Sequence, residues 1–196
     1  KHLSVNRLPL NSPLRKLVPF PLTLCCMVLI SGCVGSIHDE VSRGNIEQVR
    51  MLLERYPELL EAKDKMGKTP LFFAVNRGRT ELVDLLLNTG ADVHAQDITG
   101  LTPLHAAAWW NKKEEAERLL AAGASLEQRD VFGDTPLHIA AIQGRTEMVV
   151  FLVEKGADLS AQNNDGRTAL DLARHYHKEE TAQKLQELVA KGFRKQ

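Results

Sequence analysis

The chain has 196 residues, of which 43% are hydrophobic and 26% are charged, a composition typical of a folded globular protein. Its formal net charge is zero, but residues 1–32 contain four lysines and arginines and no acid, which leaves 21 bases and 25 acids in residues 33–196. The mildly acidic composition of residues 33–196 excludes a generic binder of the nucleic-acid backbone, so no nucleic-acid partner is expected. All three cysteines, Cys25, Cys26 and Cys33, lie near the start, so neither a disulfide nor a thiolate metal site is expected further along the chain.

Residues 1–32 have the layout of an export signal. A basic head precedes an apolar stretch at residues 17–30, which Pro19 and Pro21 interrupt. After Pro21 only nine residues, 22–30, stay largely apolar, whereas a membrane-spanning helix needs about 20. A short apolar run followed by the small residues Ser31 and Gly32 predicts a secretory signal peptide over residues 1–32.

The end of this segment, Ile30-Ser31-Gly32-Cys33, resembles the lipobox of bacterial lipoproteins. The resemblance implies cleavage before Cys33 and acylation of Cys33, with residues 33–36 as a short tether, and two or three acyl chains anchor a protein stably in a membrane. Because Val34 rather than aspartate follows the cysteine, the resemblance also implies sorting to the outer membrane, facing the periplasm. The alternative is an ordinary signal peptide in which the cysteine is accidental.

The rest of the chain repeats itself with a step of 33 residues. Four similar starts keep this step: Thr69-Pro70-Leu71-Phe72, Thr102-Pro103-Leu104-His105, Thr135-Pro136-Leu137-His138 and Thr168-Ala169-Leu170-Asp171. Two sets of glycines keep it as well: Gly67, Gly100, Gly133 and Gly166, and Gly90, Gly123 and Gly156. Several independent landmarks in one register are very unlikely by chance, so residues 37–196 are predicted to form one repeat domain.

Each unit is predicted to consist of a turn followed by two helices. The threonine at each start suits a helix N-cap, and the proline that usually follows suits the first helical turn. Small residues come next, such as Ala107 and Ala108, and they allow neighbouring helices to approach closely. The second helix carries an apolar row, as in Leu82, Val83 and Leu86, that predicts a buried face.

The Thr-Pro-Leu-His start and the 33-residue period resemble ankyrin repeats. The resemblance implies an all-α solenoid of about four repeats, preceded by a degenerate first repeat at residues 36–64 with one extra residue near Tyr56 and Pro57, and closed by a polar helix that caps the stack. Glu115 departs from the pattern, because other units place Leu82 and Met148 at its half-buried position. We therefore expect the middle repeat to be locally loose or slightly shifted.

No constellation in the sequence indicates catalysis, a cofactor or a metal site. His105 and His138 belong to the repeat start, where the resemblance implies a hydrogen bond to the adjacent turn. His175 and His177 form a His-x-His pair, but side chains two residues apart on a helix point in different directions, so chelation by this pair is poor. The glycines recur with the repeat and belong to turns rather than to a phosphate-binding loop.

The ankyrin resemblance implies protein binding through a concave surface formed by the turn tips and the exposed ends of the first helices. Both tryptophans of the chain occupy one such helix end, a position that is usually polar when nothing binds. The predicted partner-binding residues are Met66, Arg77, Ile98, Leu101, Trp109, Trp110, Val131, Phe132, Ile142 and Tyr176. Together the apolar ones would form an exposed patch larger than monomers usually show. The alternative is that one tryptophan packs over Glu115 or the neighbouring repeat and only adds stability.

These observations predict a non-catalytic protein-binding module that is lipid-anchored at the bacterial envelope. Its expected partner is an envelope enzyme, which the chain would hold as a scaffold, or a toxin active in the periplasm, which it would cap as an immunity protein. An enzyme is disfavoured because the chain beyond the repeats is too short for another domain. An effector injected into a host is disfavoured because a lipidated protein stays on its own membrane.

Overall fold

The computed structural model describes residues 36–192, and over that range the protein is helical. The helices are α1 (Ile37–Arg43), α2 (Ile46–Arg55), α3 (Pro70–Arg77), α4 (Thr80–Asn88), α5 (Pro103–Trp110), α6 (Lys113–Ala121), α7 (Pro136–Ile142), α8 (Thr146–Glu154), α9 (Ala169–His175) and α10 (Glu179–Ala190). A short 3₁₀ helix, Pro57–Glu61, follows α2. Residues 36–192 contain no β-strand, so the predicted all-α class is confirmed.

The helices form two stacked rows. Helices α1, α3, α5, α7 and α9 each pack against the next member of this set, which makes one row. In the second row α2 contacts α4, α4 contacts α6, and α8 contacts α10. Each first helix also packs against the second helix that follows it. These pairs give five repeats, from repeat 1 (α1, α2) to repeat 5 (α9, α10). The predicted solenoid of four repeats after a degenerate first one is confirmed.

Local sequence sets where the first helices begin and end. Thr168 shows the start clearly: its hydroxyl accepts the N–H of Asp171, whose carboxylate accepts the N–H of Thr168 at 3.0 Å. At the other end the backbone turns left-handed, usually at a glycine. Asn111 and His177 take that conformation in repeats 3 and 5, both with φ of +54°. Asparagine and histidine tolerate it better than most side chains, so both helices end as the glycine-terminated ones do.

The buried core runs along both rows of helices. Small side chains line the contact between successive first helices, and Ala107, Ala108, Ala140 and Ala141 have no exposed surface. Larger side chains fill the space between the rows, and the largest that are fully buried include Leu71, Leu82, Leu86, Leu104, Leu119, Leu137, Met148, Leu152 and Leu185. Each repeat thus buries its apolar face only against its neighbours.

The degenerate first repeat takes the place predicted for it. Helix α1 is capped by Ser36 and ends at Gly44, and the 3₁₀ helix accommodates the extra residue near Tyr56 and Pro57. His38 Nε2 lies 3.2 Å from the carbonyl oxygen of Lys68 in the next repeat. This histidine therefore links repeat 1 to repeat 2, as the repeat-start histidines do further along the chain.

The expectation that the middle repeat is loose around Glu115 is wrong. Helix α6 is regular, and Glu115 is only 4% exposed. The Thr80 hydroxyl of the preceding repeat donates to Glu115 Oε1 at 2.7 Å. The hydroxyls of Thr146 and Thr181 pair at 2.8 Å at the corresponding positions of repeats 4 and 5. Polar side chains fit in this row because each faces a polar partner one repeat away.

Within residues 36–192 no helix combines the length and the apolar character that crossing a membrane requires. The predicted signal peptide at 1–32, Cys33 and the tether as far as residue 35 lie outside the described residues.

Candidate protein-binding surface

The turns that precede the first helices stack on one another through backbone hydrogen bonds. The N–H of Ile98 donates to the carbonyl of Met66 at 3.0 Å, and the N–H of Val131 donates to the carbonyl of Thr99 at 3.1 Å. These bonds join the tips of repeats 2, 3 and 4 directly. The predicted tip residues of different repeats therefore lie side by side on one fixed edge of the stack.

Apolar side chains are exposed along this edge. Ile98 is 63% exposed and Phe132 is 65% exposed, and Met66 and Val131 are exposed as well. A single exposed apolar residue needs no explanation, but a contiguous group usually marks an interaction site. The tips of repeats 2 to 4 provide such a group.

The ends of the first helices add the aromatic side chains. Trp109 is 38% exposed and Trp110 is 50% exposed, so neither tryptophan is a core residue. Tyr176 and Arg77 are exposed at the position of Trp110 in repeats 5 and 2. We call the exposed residues of both groups the tip-and-end surface: Met66, Arg77, Ile98, Trp109, Trp110, Val131, Phe132 and Tyr176.

Two predicted partner-binding residues are placed differently. Leu101 and Ile142 are half-buried and pack against the core. Their side chains support the turn of repeat 3 and the end of α7, and less of their surface is available to a partner.

Sequence reasoning missed a row of basic residues next to this surface. Arg79, Lys112, Arg145 and Lys178 occupy the N-cap of the second helix in repeats 2 to 5. Arg145 Nε donates to the carbonyl of Trp109 at 3.1 Å, near the end of α5, the first helix of the preceding repeat. A cation is favourable there because the carbonyl end of a helix is negative. The signal was available in the sequence, since the four residues keep the 33-residue step.

The repeat-start histidines tie each repeat to the next, as expected. The N–H of Thr102 donates to His105 Nδ1 at 3.1 Å, so Nε2 holds the ring proton and donates to the Asp134 carbonyl at 3.1 Å. His138 makes the equivalent bonds one repeat further along. Burial lowers the pKa of both histidines, which keeps the rings neutral at neutral pH.

Lowering the pH from about 7.5 to about 5.5 should reduce the free energy of unfolding. Histidines in the unfolded chain bind protons near a pKa of about 6.5, whereas His105 and His138 resist protonation while buried. Stability is therefore lost as the pH falls from the unfolded pKa towards the lowered folded pKa. Burial raises the pKa of Asp134, so protonation of this carboxyl group favours the folded state. This opposite effect on stability belongs to the lower pH range in which carboxyl groups titrate.

Urea denaturation across this pH range measures the effect, and the wild type is compared with the double variant His105→Gln/His138→Gln. The variant should be less stable at the higher pH, because inter-repeat bonds are lost, but its stability should vary less with pH. An equally steep dependence in the variant would assign the effect to other groups.

The His-x-His pair is not a helical pair. Helix α9 ends at His175, and His177 lies beyond it in the left-handed conformation. No group of three or more histidine, cysteine, aspartate or glutamate side chains in residues 36–192 has the arrangement of a metal site.

The stacked helix pairs and the exposed apolar surface define a helical repeat protein of the interaction class. Comparison with known families agrees: residues 37–130 and 112–194 match the family described as ankyrin repeats (3 copies). The match covers most of the chain, and the protein belongs to the ankyrin-repeat family. Members of this family generally serve protein–protein interaction rather than catalysis.

Curated relatives share only this repeat region. The 2-5A-dependent ribonuclease of Mus musculus is 40% identical over 60 residues, which are 31% of this chain and 8% of that protein. Delta-latroinsectotoxin-Lt1a of Latrodectus tredecimguttatus is 41% identical over 63 residues, which are 32% of this chain and 5% of the toxin. The chain thus spans less than a tenth of either relative.

Proposed function

We propose that this protein captures a protein partner on its tip-and-end surface, with Trp109 and Trp110 at the centre of the contact. Two observations support this: both tryptophans are exposed at the end of a first helix, and Ile98, Val131 and Phe132 are exposed on turns that backbone hydrogen bonds join. Aromatic side chains are enriched in the energetically important centres of interfaces. The hydrogen bonds between the tips hold the surface in place before binding, which reduces the entropy that binding costs.

The proposal also places the module on the bacterial envelope, anchored through acylated Cys33 and facing the periplasm from the outer membrane. The support is the sequence Ile30-Ser31-Gly32-Cys33 at the end of an apolar run, with Val34 next. A partner in that compartment would be an envelope enzyme that the repeats hold, or a periplasmic toxin that they neutralise. The ribonuclease and toxin activities in the relatives' names are not part of the proposal, because so little of either protein is shared.

Replacing both tryptophans with alanine should weaken binding of the partner at least about 30-fold. A tryptophan at an interface centre contributes about 2 kcal/mol or more, and each 1.4 kcal/mol is a factor of ten in affinity. The test is to capture the partner from envelope extract, identify it, and titrate it against the wild type and Trp109→Ala/Trp110→Ala. Phe132→Ala should act in the same direction but less strongly.

Each tryptophan is partly packed, so the alanine variant also loses some stability, and a second variant separates the two effects. Trp109→Ile/Trp110→Gln copies Ile142 and Gln143, the pair that occupies the same positions in repeat 4. It should remain folded in a thermal melt and still bind weakly. Val189→Ala, at an exposed apolar residue of α10, should bind normally. Normal binding by the Ile/Gln variant would remove the tryptophans from the site.

The anchor has its own test. Cys33→Ser should leave the protein uncleaved or displaced from the membrane fraction, because the acylated residue is lost. Cys25→Ser is the matched control and should be processed normally, since Cys25 leaves with the signal peptide. Mass spectrometry of the mature protein should find an acylated Cys33 at the N-terminus, and an unmodified N-terminus elsewhere would contradict the lipoprotein assignment.

A further inference from the structure

We propose that the partner of the tip-and-end surface presents an acidic segment, an inference that rests on the proposed function and names the chemistry of its ligand. The charges of repeats 2 to 5 are divided between the two halves of each repeat. The halves that hold the turns and first helices, residues 62–79, 95–112, 128–145 and 161–178, contain 11 lysines and arginines and 6 acids. The halves that hold the second helices, residues 80–94, 113–127, 146–160 and 179–192, contain 5 bases and 13 acids. The mildly acidic total therefore conceals a surplus of bases in the turn and first-helix halves, which we call the basic side, and five of these eleven bases lie in repeat 2.

Half of the acids on the basic side accept hydrogen bonds within their own turns. Asp97 Oδ1 accepts the N–H groups of Thr99 and Leu101 at 2.8 and 3.1 Å. Asp64 and Asp130 accept backbone N–H groups in the same way. Three of the six carboxylates are thus committed to the turns, and the other three stand beside eleven bases.

Several of the bases are held at fixed positions by the repeat that precedes or follows them. Arg79 Nη2 donates to the carbonyl of Ser42 at 3.2 Å, and Arg145 makes its bond to Trp109 through Nε. A guanidinium has five N–H donors in a rigid fork, so either arginine can bind a carboxylate while it keeps its bond to the backbone. Lys112, in the same row, also reaches the preceding repeat, where its Nζ lies next to Gly78.

The basic row adjoins the apolar centre of the surface. Lys112 follows Trp110 by two residues, and Arg145 contacts the backbone of Trp109. The acids that follow the row in the sequence belong to the second-helix halves. Two of them, Glu147 and Glu180, line a groove with Lys113 and Phe151 at the start of the second helices. An apolar centre flanked by charge of one sign suits a protein segment with apolar side chains among aspartates and glutamates.

A protein segment explains this arrangement better than an anionic lipid surface does. Lipid headgroups move freely, so a membrane attracts basic residues wherever they lie near its surface. Here the bases recur once per repeat, and two of the four, Arg79 and Arg145, are bonded to backbone carbonyls, which sets their spacing before anything binds. Fixed spacing favours a ligand whose carboxylates are also fixed.

The experiment immobilises the full chain and selects from a random dodecapeptide library the peptides that bind it. Peptides recovered on the wild type should be enriched in aspartate and glutamate relative to the unselected library. The variant Lys112→Gln/Lys178→Gln removes two bases of the row without touching a carbonyl-bonded arginine. It should bind a recovered acidic peptide about 3- to 10-fold more weakly, the effect expected for two exposed charge pairs. The matched control Arg50→Gln/Lys191→Gln removes two charges outside the basic halves and should bind normally.

Several outcomes would overturn the inference: no enrichment on the wild type, enrichment of neutral or basic peptides, or equal loss of binding in both glutamine variants. Binding to phosphatidylglycerol vesicles in place of acidic peptides would assign the basic side to a membrane. Concentration-dependent self-association that Lys112→Gln/Lys178→Gln abolishes would assign it to the acidic side of a second copy. If recovered peptides require the tryptophans but carry no excess of acid, the proposed function stands and only the acidic ligand is wrong. If acidic peptides bind equally well to Trp109→Ile/Trp110→Gln, the tryptophan-centred site is wrong and the basic side binds on its own.

Discussion

Replacing Gly133 with alanine should lower the free energy of unfolding by about 3 kcal/mol. Gly133 has φ of +77°, where an alanine costs about 1–2 kcal/mol. A Cβ there would lie 2.8 Å from the backbone nitrogen of Asn164 and closer still to its side-chain oxygen. Asn164 would have to move, which would weaken its bonds to the carbonyls of Phe132 and Val131, 3.0 and 3.1 Å long. Each such bond contributes about 1 kcal/mol, and chemical denaturation measures the total.

Gly166→Ala is the matched control. Gly166 holds the same position one repeat later, with φ of +72° and no atom within 4 Å of an added Cβ. The free energy of unfolding of this variant should fall by only about 1–2 kcal/mol, the cost of the left-handed conformation for an alanine. The difference between the two variants measures how tightly consecutive turns pack. Equal losses would show that Asn164 moves aside without cost.

The contrast between these two glycines shows what the sequence could and could not predict. Gly133 and Gly166 are identical landmarks of the 33-residue period, and that period correctly predicts both turns and the helices that follow. Only the three-dimensional stack shows that one glycine faces the next turn while the other faces open space. The period therefore predicts the architecture, whereas the energy of each position depends on its neighbour.

Glu115 illustrates the same limit inside the core. A charged residue in an apolar row predicts a locally loose or slightly shifted repeat when the row is considered alone, whereas helix α6 is regular. Its partner Thr80 belongs to the preceding repeat, 35 residues earlier, and each residue is unremarkable without the other. His38 is a similar case, because it lies one residue earlier in its helix than the repeat-start histidines do and still reaches the next repeat.

The candidate surface was predictable in its position but not in its detail. Family resemblance assigned ten residues to tips and helix ends, and the exposure of Trp109 and Trp110 fits that assignment. The sequence could not show that Leu101 and Ile142 turn partly into the core, because their repeat positions alone do not set side-chain burial. The basic row had a clear period but was missed because the net charge of the chain hides it.

Ending the chain after His177, which removes α10, should abolish soluble folding and lead to aggregation. Helix α10 buries Leu185 and Leu188 against α8 and α9, and each leucine contributes about 1.5–3 kcal/mol by its burial. Without α10 the stack ends on an apolar face, and a repeat protein needs a terminal unit with a polar outer side. Size-exclusion chromatography and circular dichroism of the truncated chain measure the result.

Deleting residues 97–129 is the matched control, and it removes more of the chain than the truncation does. This deletion takes out exactly one 33-residue period, joins Gln96 to Asp130 in register, and keeps both terminal repeats. Because each repeat contacts only its neighbours, the shortened protein should remain soluble and helical, with a lower melting temperature. Loss of the capping helix is then more damaging than loss of a whole internal repeat, which length alone cannot explain. A soluble, folded chain ending at His177, or an unfolded protein after the internal deletion, would contradict the additive stacking of repeats.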